Sequence, residues 1–486
     1  MKKNLNTLID QLDLVQVIGD PASQSIEQIT QDSRDVSENA LFIAVKGTAS
    51  DGHQFIDQAI ASGAKAIICE ELPDQPDEKV VWMVVKNSGP MVGLVASHFY
   101  DHPSQKMKIV GVTGTNGKTT IATLLHDLFQ QMGYYSGLLS TIENRIGETK
   151  YNSTHTTPDP AHLQEWMHQM VEAGCSHCFM EVSSHAIDQH RISGIDFDGA
   201  IFTNITHDHL DYHKTFKNYI QAKKQFFDNL KSEAFALTNK DDKNGEVMLQ
   251  NCDAKKYAYS VRSQANFKAS VIEQDLTGMQ LVIDRNELWT PFVGKFNVSN
   301  LLAVYGAALL SGEKEEEVLS ALSKLKPING RLETIRSNDG KVAIIDYAHT
   351  PDALENVLKT IDEIRTRNEQ VITVVGCGGN RDKTKRPEMA KIASLYSDRV
   401  ILTSDNPRFE DPDLIIKDMK EGVPAAYTAK VLSITNREEA IRTSIALSQP
   451  QDIILIAGKG HEDYQIIQGE KIHFDDHEIV KKELNV

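Results

Sequence analysis

The chain has 486 residues, 40% of them apolar and 24% charged, and carries a formal net charge of −17. That length exceeds what one hydrophobic core serves, so roughly two to four domains are expected. The ordinary composition excludes a disordered or collagen-like chain. So acidic a surface repels nucleic acid and anionic membranes, and an anionic ligand must be held by a local nest of donors. The first residues build no signal-peptide core, and no apolar run nears the ~18 residues of a membrane span. Five cysteines in so long a chain make no disulfide framework, so a reducing, cytoplasmic enzyme is expected, without membrane insertion. Cys175 and Cys178 have the CxxC spacing but no second ligand pair, and read as buried small hydrophobes.

In chain order the pattern divides into three blocks. In residues 1–104, apolar runs at 40–45 and 64–69 read as strands, and residues 55–60 have helical spacing between them. His102-Pro103-Ser104 breaks the pattern. The block 105–332 opens on a short apolar run, 107–112, which ends at a Gly-rich loop and is followed at once by helix signals. In 333–486, strands at 342–345, 371–375, 399–403 and 453–456 alternate with helices, the pattern of a doubly wound sheet. The expected fold is α/β in three domains: a small α/β domain, a central P-loop domain on a parallel sheet, and a C-terminal Rossmann-like domain.

Gly114-Thr115-Asn116-Gly117-Lys118-Thr119-Thr120 stands between a strand and a helix. Backbone N–H groups in such a loop face a phosphate, the helix N-terminus adds its dipole, and Lys118 adds a point charge. The spacing departs from the usual G-x-x-x-x-G-K-[ST] rule. The first glycine should be residue 112, which is valine, and glycines stand at 111 and 114 instead. Thr119 offers a hydroxyl to Mg²⁺, and Glu181, ending the apolar run 178–180, stands where a carboxylate ligand belongs. Three histidines and two aspartates within residues 207–213 are too polar for a core and read as a loop near a metal.

These segments, with Thr156-Thr157-Pro158-Asp159, Glu181-Val182-Ser183-Ser184-His185, Asp346-Tyr347-Ala348-His349-Thr350-Pro351, Asp405-Asn406-Pro407-Arg408 and Gly458-Lys459-Gly460-His461-Glu462, resemble the Mur ligases of peptidoglycan synthesis along essentially the whole chain. The shifted glycine is the form that family uses. The resemblance implies an ATP-dependent ligase working on UDP-N-acetylmuramoyl-L-alanyl-D-glutamate through an acyl phosphate, as a monomer. It implies two Mg²⁺ ions, one with Thr119 and Glu181 and the other with His209. It also implies a CO₂-derived carbamate on Lys223, a residue that would otherwise read as a solvated lysine on an amphipathic helix. Asn297, Asn300, Arg331 and Asp346 match groups that reach the rest of ATP from the second and third blocks, which implies closure around it. Ser33, Thr48, Ala49 and Ser50 resemble the uridine-diphosphate loops. Thr156, Thr157, Ser183, Gln189 and Arg191 match residues that hold the muramoyl dipeptide.

Arg408 bears on which amino acid is added. Family members that add meso-diaminopimelate have arginine at the fourth position of the Asp405-Asn406-Pro407-Arg408 stretch. A guanidinium fork pairs with the extra carboxylate of diaminopimelate and repels the cation of lysine. Arg381, Gly458 and Glu462 match further diaminopimelate contacts, Arg381 for the near carboxylate and Glu462 for the distal amine. The alternatives are the same ligation with L-lysine, a folylpolyglutamate synthase, and a nucleotide switch. Asn239-Lys240-Asp241-Asp242 has nearly the guanine-reading shape of a GTPase.

Overall fold

A computed structural model describes the protein apart from residues 48, 49, 153–155 and 207 and the side chains of 152, 210 and 211. Three principal sheets follow one another along the chain. In the first, strands Val81–Val85, Ala64–Cys69, Ala40–Ile43 and Gln28–Thr30 run parallel, and Leu14–Ile18 closes one edge antiparallel.

The second sheet has eleven strands. Its centre is parallel, in the order Ser136–Leu139, His177–Glu181, Lys108–Thr113, Gly199–Phe202, Phe235–Asn239 and Lys255–Ser260. Phe267–Asp275 adds one more parallel strand, and beyond it and beyond Ser136–Leu139 the strands pair antiparallel, which the apolar runs did not announce. The outer strands Glu143–Ile146 and Asn286–Thr290 alternate buried with more exposed residues, because only one of their faces is covered. The third sheet is parallel except for its edge strand Glu333–Arg336. The fold is thus α/β in three parts, as the alternation of strands and helices implied.

The phosphate-loop strand Lys108–Thr113 shows how the middle sheet is packed. Val110 and Val112 are wholly buried in the cluster that holds Leu124 and Leu128 of the helix Lys118–Gln131. Ile109 faces the opposite cluster with Phe226 and Phe227 of the helix Phe216–Asp228. Gly111 belongs to that second face, for a Cβ there would stand 2.6 Å from Phe226 Cζ and 2.9 Å from Phe197 Cε1. The off-register glycine therefore lies inside the strand and lets the helix carrying Lys223 come close. The first domain docks on the middle one equally tightly: a Cβ at Gly93 would lie 2.1 Å from the carbonyl oxygen of Ser193. That seam brings the residues just after Gln189 and Arg191 against the helix Met91–Phe99.

All five cysteines are buried and unpaired with one another, Cys175 and Cys178 included, as small hydrophobes would be. Among the described residues, no helix is long and apolar enough to cross a membrane. Gly111→Val is expected to destabilise the protein by about 1–3 kcal/mol through overpacking against Phe226. A melting temperature equal to that of the wild type would show that other contacts place this helix.

Candidate active site

The Gly-rich loop begins where the strand Lys108–Thr113 ends, and Gly117 caps the following helix with φ at +86°. A side chain at Gly114 would strike Thr203 Oγ1, since a Cβ would lie 1.8 Å from it. The loop is latched to the end of the neighbouring strand Gly199–Phe202. Thr115 N donates to Asn204 O at 2.8 Å, Asn116 N donates to Asn204 Oδ1 at 2.9 Å, and Thr203 Oγ1 donates to Asn116 O at 2.6 Å. Asn116 Nδ2 also donates to Asp352 Oδ2 at 3.0 Å, which ties the loop to the first turn of a C-terminal-domain helix.

Two lysines converge on one carbonyl. Lys118 Nζ donates to Gly114 O at 3.1 Å and to Thr115 O at 2.9 Å. Lys223 Nζ, on a residue only 1% exposed, donates to Gly114 O at 2.8 Å and sits 4.8 Å from the centre of the Tyr219 ring. Burial lowers the pKa of Lys118, with Glu181 and Asp208 opposing the shift. Burial and then the charge of Lys118 push Lys223 well below the ordinary lysine value, a shift toward the neutral amine. The neighbouring Lys224 pairs instead with Asp228, four residues along the same helix.

Glu181 ends its strand 1% exposed, and its Oε1 accepts from Thr141 N at 2.7 Å. Its Oε2 is buried without a hydrogen-bond partner. An orphaned carboxylate oxygen beside a phosphate loop fits a hard cation such as Mg²⁺. Thr119 Oγ1 accepts from Arg331 Nη2 at 3.3 Å. His209, half exposed, has φ at +54° and lies edge-on to His185, with ring centres 4.8 Å apart. Among the described residues no three His, Cys, Asp or Glu side chains form a metal cluster. Of the polar segment expected near the metal, His207 and the side chain of Asp211 lie outside the described residues.

A cleft of about 880 Å³ opens between the middle and C-terminal sheets, lined by Asn116, Gly117, Thr120, Asn297, Asn300, Arg331 and Asp346 among others. Asn300 Nδ2 donates to Asn297 Oδ1 at 3.1 Å. Burial raises the Asp346 carboxyl to about 6 against the pull of Arg331, and its Oδ2 accepts from Leu332 N at 2.7 Å. The GTPase-like tetrapeptide borders the same cleft, but its carboxylates serve the backbone. Asp241 Oδ2 accepts from Val261 N and Asp242 Oδ2 from Ile205 N, both at 2.8 Å.

Thr157, Ser183, Gln189 and Arg191 form one connected group. Arg191 Nη1 donates to Thr157 O at 2.9 Å and its Nη2 to Gln189 Oε1 at 2.7 Å, while Ser183 N donates to Thr157 Oγ1 at 3.3 Å. Thr156 stands half-buried beside them. Ser33 lies apart in the first domain, 7% exposed, with its Oγ donating to Gln58 Oε1 at 3.3 Å. Ser50 follows Thr48 and Ala49, which lie outside the described residues.

In the C-terminal domain the loop Asp405 to Arg408 follows the strand Arg399–Ser404 on its carboxyl side. Arg408 has φ at +53° and is bracketed by a hairpin: its N donates to Ile466 O at 2.9 Å and its carbonyl accepts from Gln468 N at 2.7 Å. Gln465 Nε2 donates to Asp405 O at 2.7 Å. Arg408 Nη1 donates to the carbonyl of Gly379 at 3.0 Å, and Gly379 sits so close to Pro407 that a Cβ would lie 2.0 Å from its carbonyl oxygen. Gly458, at φ +117°, admits Asp405 Oδ2 where a Cβ would stand 2.9 Å from it. Arg381 is exposed nearby in sequence, and Glu462 is bound to Lys459 and Asn406. Within the Asp405-to-Arg408 stretch, Asp405 and Asn406 are thus buried, while the Arg408 guanidinium donates to the carbonyls of Gly379 and Asn406.

Several residues that build this site were not singled out from the sequence. Tyr219 stacks under Lys223 from four residues earlier on the same helix, a spacing that could have flagged it. Tyr347 and Lys459 lay inside motifs already recognised. Asn204 and Gln465 act across 88 and 60 residues of chain, which local pattern does not reveal.

A Gly-rich phosphate loop facing a second α/β domain across a cleft defines a P-loop nucleotide-binding protein. The chain belongs to the Mur ligase family. The Mur ligase middle domain matches residues 112–308, the glutamate ligase domain 330–460, and the Mur ligase family catalytic domain 25–100. It is 55% identical, over 98% of both chains, to a UDP-N-acetylmuramoyl-L-alanyl-D-glutamate--2,6-diaminopimelate ligase of Parabacteroides distasonis. It is 54% identical to the enzyme so named from Bacteroides thetaiotaomicron, over 99% of this chain and 100% of that one. A solved structure with the same name is 32% identical and superposes with a TM-score of 0.70, over 100% of this chain and 99% of the other.

Asn204→Ala removes a side chain that holds the loop at Asn116. It is expected to weaken binding of a non-hydrolysable ATP analogue about tenfold, roughly the worth of one or two hydrogen bonds. Unchanged affinity by calorimetry would show that the backbone bonds alone shape the loop.

Proposed function

We propose that this chain joins meso-diaminopimelate to the γ-carboxylate of the D-glutamate in UDP-N-acetylmuramoyl-L-alanyl-D-glutamate, using ATP. The observation that carries the reading is near-full-length likeness to enzymes of that name, in a chain that keeps Arg408 beside its C-terminal sheet. The first domain would hold the uridine diphosphate near Ser33 and the 48–50 loop. Thr156, Thr157, Ser183, Gln189 and Arg191 would hold the dipeptide. Arg381, Gly458 and Glu462 would complete the diaminopimelate pocket with Arg408. The domains would span 1–104, 105–332 and 333–486, in a monomer of the cytoplasm.

The chemistry proceeds in two displacements. An oxygen of the substrate carboxylate attacks the γ-phosphorus of ATP, the bond to the bridging oxygen breaks, and ADP leaves. The amine of diaminopimelate then attacks the acyl carbon, phosphate departs with the acyl-bound oxygen, and the nitrogen loses a proton. Lys118 neutralises charge on the polyphosphate, while Asn297, Asn300, Arg331 and Asp346 line the space for the rest of the nucleotide. Thr119, Glu181, His209 and Lys223 as its carbamate would hold two Mg²⁺ ions, which would supply charge neutralisation between carboxylate and phosphate. The depressed pKa of Lys223 supports carbamylation, because only a neutral amine adds CO₂.

In an assay offering meso-diaminopimelate, L-lysine and L-ornithine separately, phosphate release is expected only with the UDP-muramoyl dipeptide and chiefly with meso-diaminopimelate. Release without the dipeptide, or preference for lysine, would contradict the reading. Arg408→Ala is expected to lower kcat/KM for meso-diaminopimelate by about 100-fold or more while ATP affinity holds. Enzyme depleted of CO₂ is expected to lose activity and regain it with bicarbonate. Regain should be fuller as pH rises, since deprotonation of Lys223 precedes carbamylation; indifference to CO₂ in the wild type would exclude the modification.

A further inference from the structure

Glu462 does not meet an incoming amine as a bare anion. Its Oε2 accepts from Asn406 Nδ2 at 2.9 Å and pairs with Lys459 Nζ at 3.1 Å. The Lys459 side chain is 0% exposed, against 16% for Glu462 above it. Lys459 Nζ also donates to Asn406 Oδ1 at 3.3 Å and lies 5.5 Å from the centre of the Tyr464 ring. Burial alone would raise the Asp405 carboxyl, yet Lys459 and then Arg437 hold it below its ordinary value. Arg437 is itself committed to Asp476 in a pair with no exposed surface on either side. The cation next to the pocket carboxylate is therefore Lys459.

Burying an ammonium is costly unless it is closely paired, so its presence under a binding pocket calls for a reason. Charge balance supplies one. The far end of meso-diaminopimelate carries an amine and a carboxylate together and is neutral as a pair, whereas the far end of lysine is a bare ammonium. A carboxylate already paired with a buried cation still accepts a hydrogen bond, but its field draws an unaccompanied cation only weakly. Arg408, a few residues from Asp405 on the same loop, attracts only the ligand that brings a carboxylate.

We propose that Lys459 is a specificity-determining positioning residue: it fixes Glu462 and cancels its charge, so that the pocket takes an amino acid with a zwitterionic far end and turns away one with a bare amine. This rests on the reaction proposed above. The test is the ratio of kcat/KM for meso-diaminopimelate to that for L-lysine in wild type, Lys459→Gln and Glu462→Gln, beside the affinity for a non-hydrolysable ATP analogue. Lys459→Gln retains hydrogen-bonding capacity without charge, and the ratio is expected to fall by about tenfold or more, with analogue affinity within about twofold. Glu462→Gln leaves Lys459 opposed only by the buried Asp405 and is expected to move the ratio the other way, which reads the same balance should the first variant fold poorly. Wild type that does not use meso-diaminopimelate would sink the proposed reaction itself. Wild type that uses it, with a ratio indifferent to both substitutions, overturns the role of Lys459 alone.

Discussion

The site is organised around the carbonyl oxygen of Gly114, which accepts from both Lys118 and Lys223. Two lysine amines on one acceptor in a desolvated pocket cannot both carry a full charge comfortably, and the strain falls on the more buried partner. Lys223 is that partner, wedged over Tyr219 with the charge of Lys118 beside it. Much of the surrounding fold serves this arrangement. Gly111 is bare so that Phe226 and the Lys223 helix can approach, and Gly114 is bare because Thr203 occupies the place of its side chain. In the proposed reaction the consequence is functional, since a lysine pushed toward neutrality is ready to become an anion by taking up CO₂.

The second constraint links the two ends of the cleft. Arg331 donates to Thr119 on the phosphate loop and lies 4.7 Å from the centre of the Tyr347 ring, and Tyr347 OH meets Glu462 Oε1 at 3.5 Å. A continuous chain of contacts thus runs from the loop to the pocket proposed for the amino acid. Asp352 adds a parallel strap, accepting from Asn116 and from Thr206 Oγ1 at 3.3 Å. The phosphate loop and the C-terminal domain are therefore mechanically joined, which suits the proposed pair of displacements, the first at the γ-phosphorus and the second at the acyl carbon.

Much of this was legible in the sequence, because the dominant signals are local. A buried parallel strand declares itself as an apolar run, and a phosphate loop by glycines and a lysine at fixed spacing, so the three α/β units and the loop could be read directly. The antiparallel outer strands of the middle sheet could not, since a half-covered strand has weak alternation and its partner is set by tertiary packing. The same limit applied to the site. Arg408 was found as a residue type, but its left-handed backbone is imposed by a hairpin some 60 residues on, through Ile466 and Gln468. Gly111 was visible as an oddity of spacing, and only the packing of Phe226 explains it.

The central claim is that one carboxylate oxygen of the substrate passes through an acyl phosphate. Substrate carrying ¹⁸O in the D-glutamate γ-carboxylate tests it most directly, with the released phosphate examined by its ³¹P isotope shift. The account predicts one ¹⁸O in each phosphate formed during ligation. Phosphate free of label, with amide still produced, would contradict it.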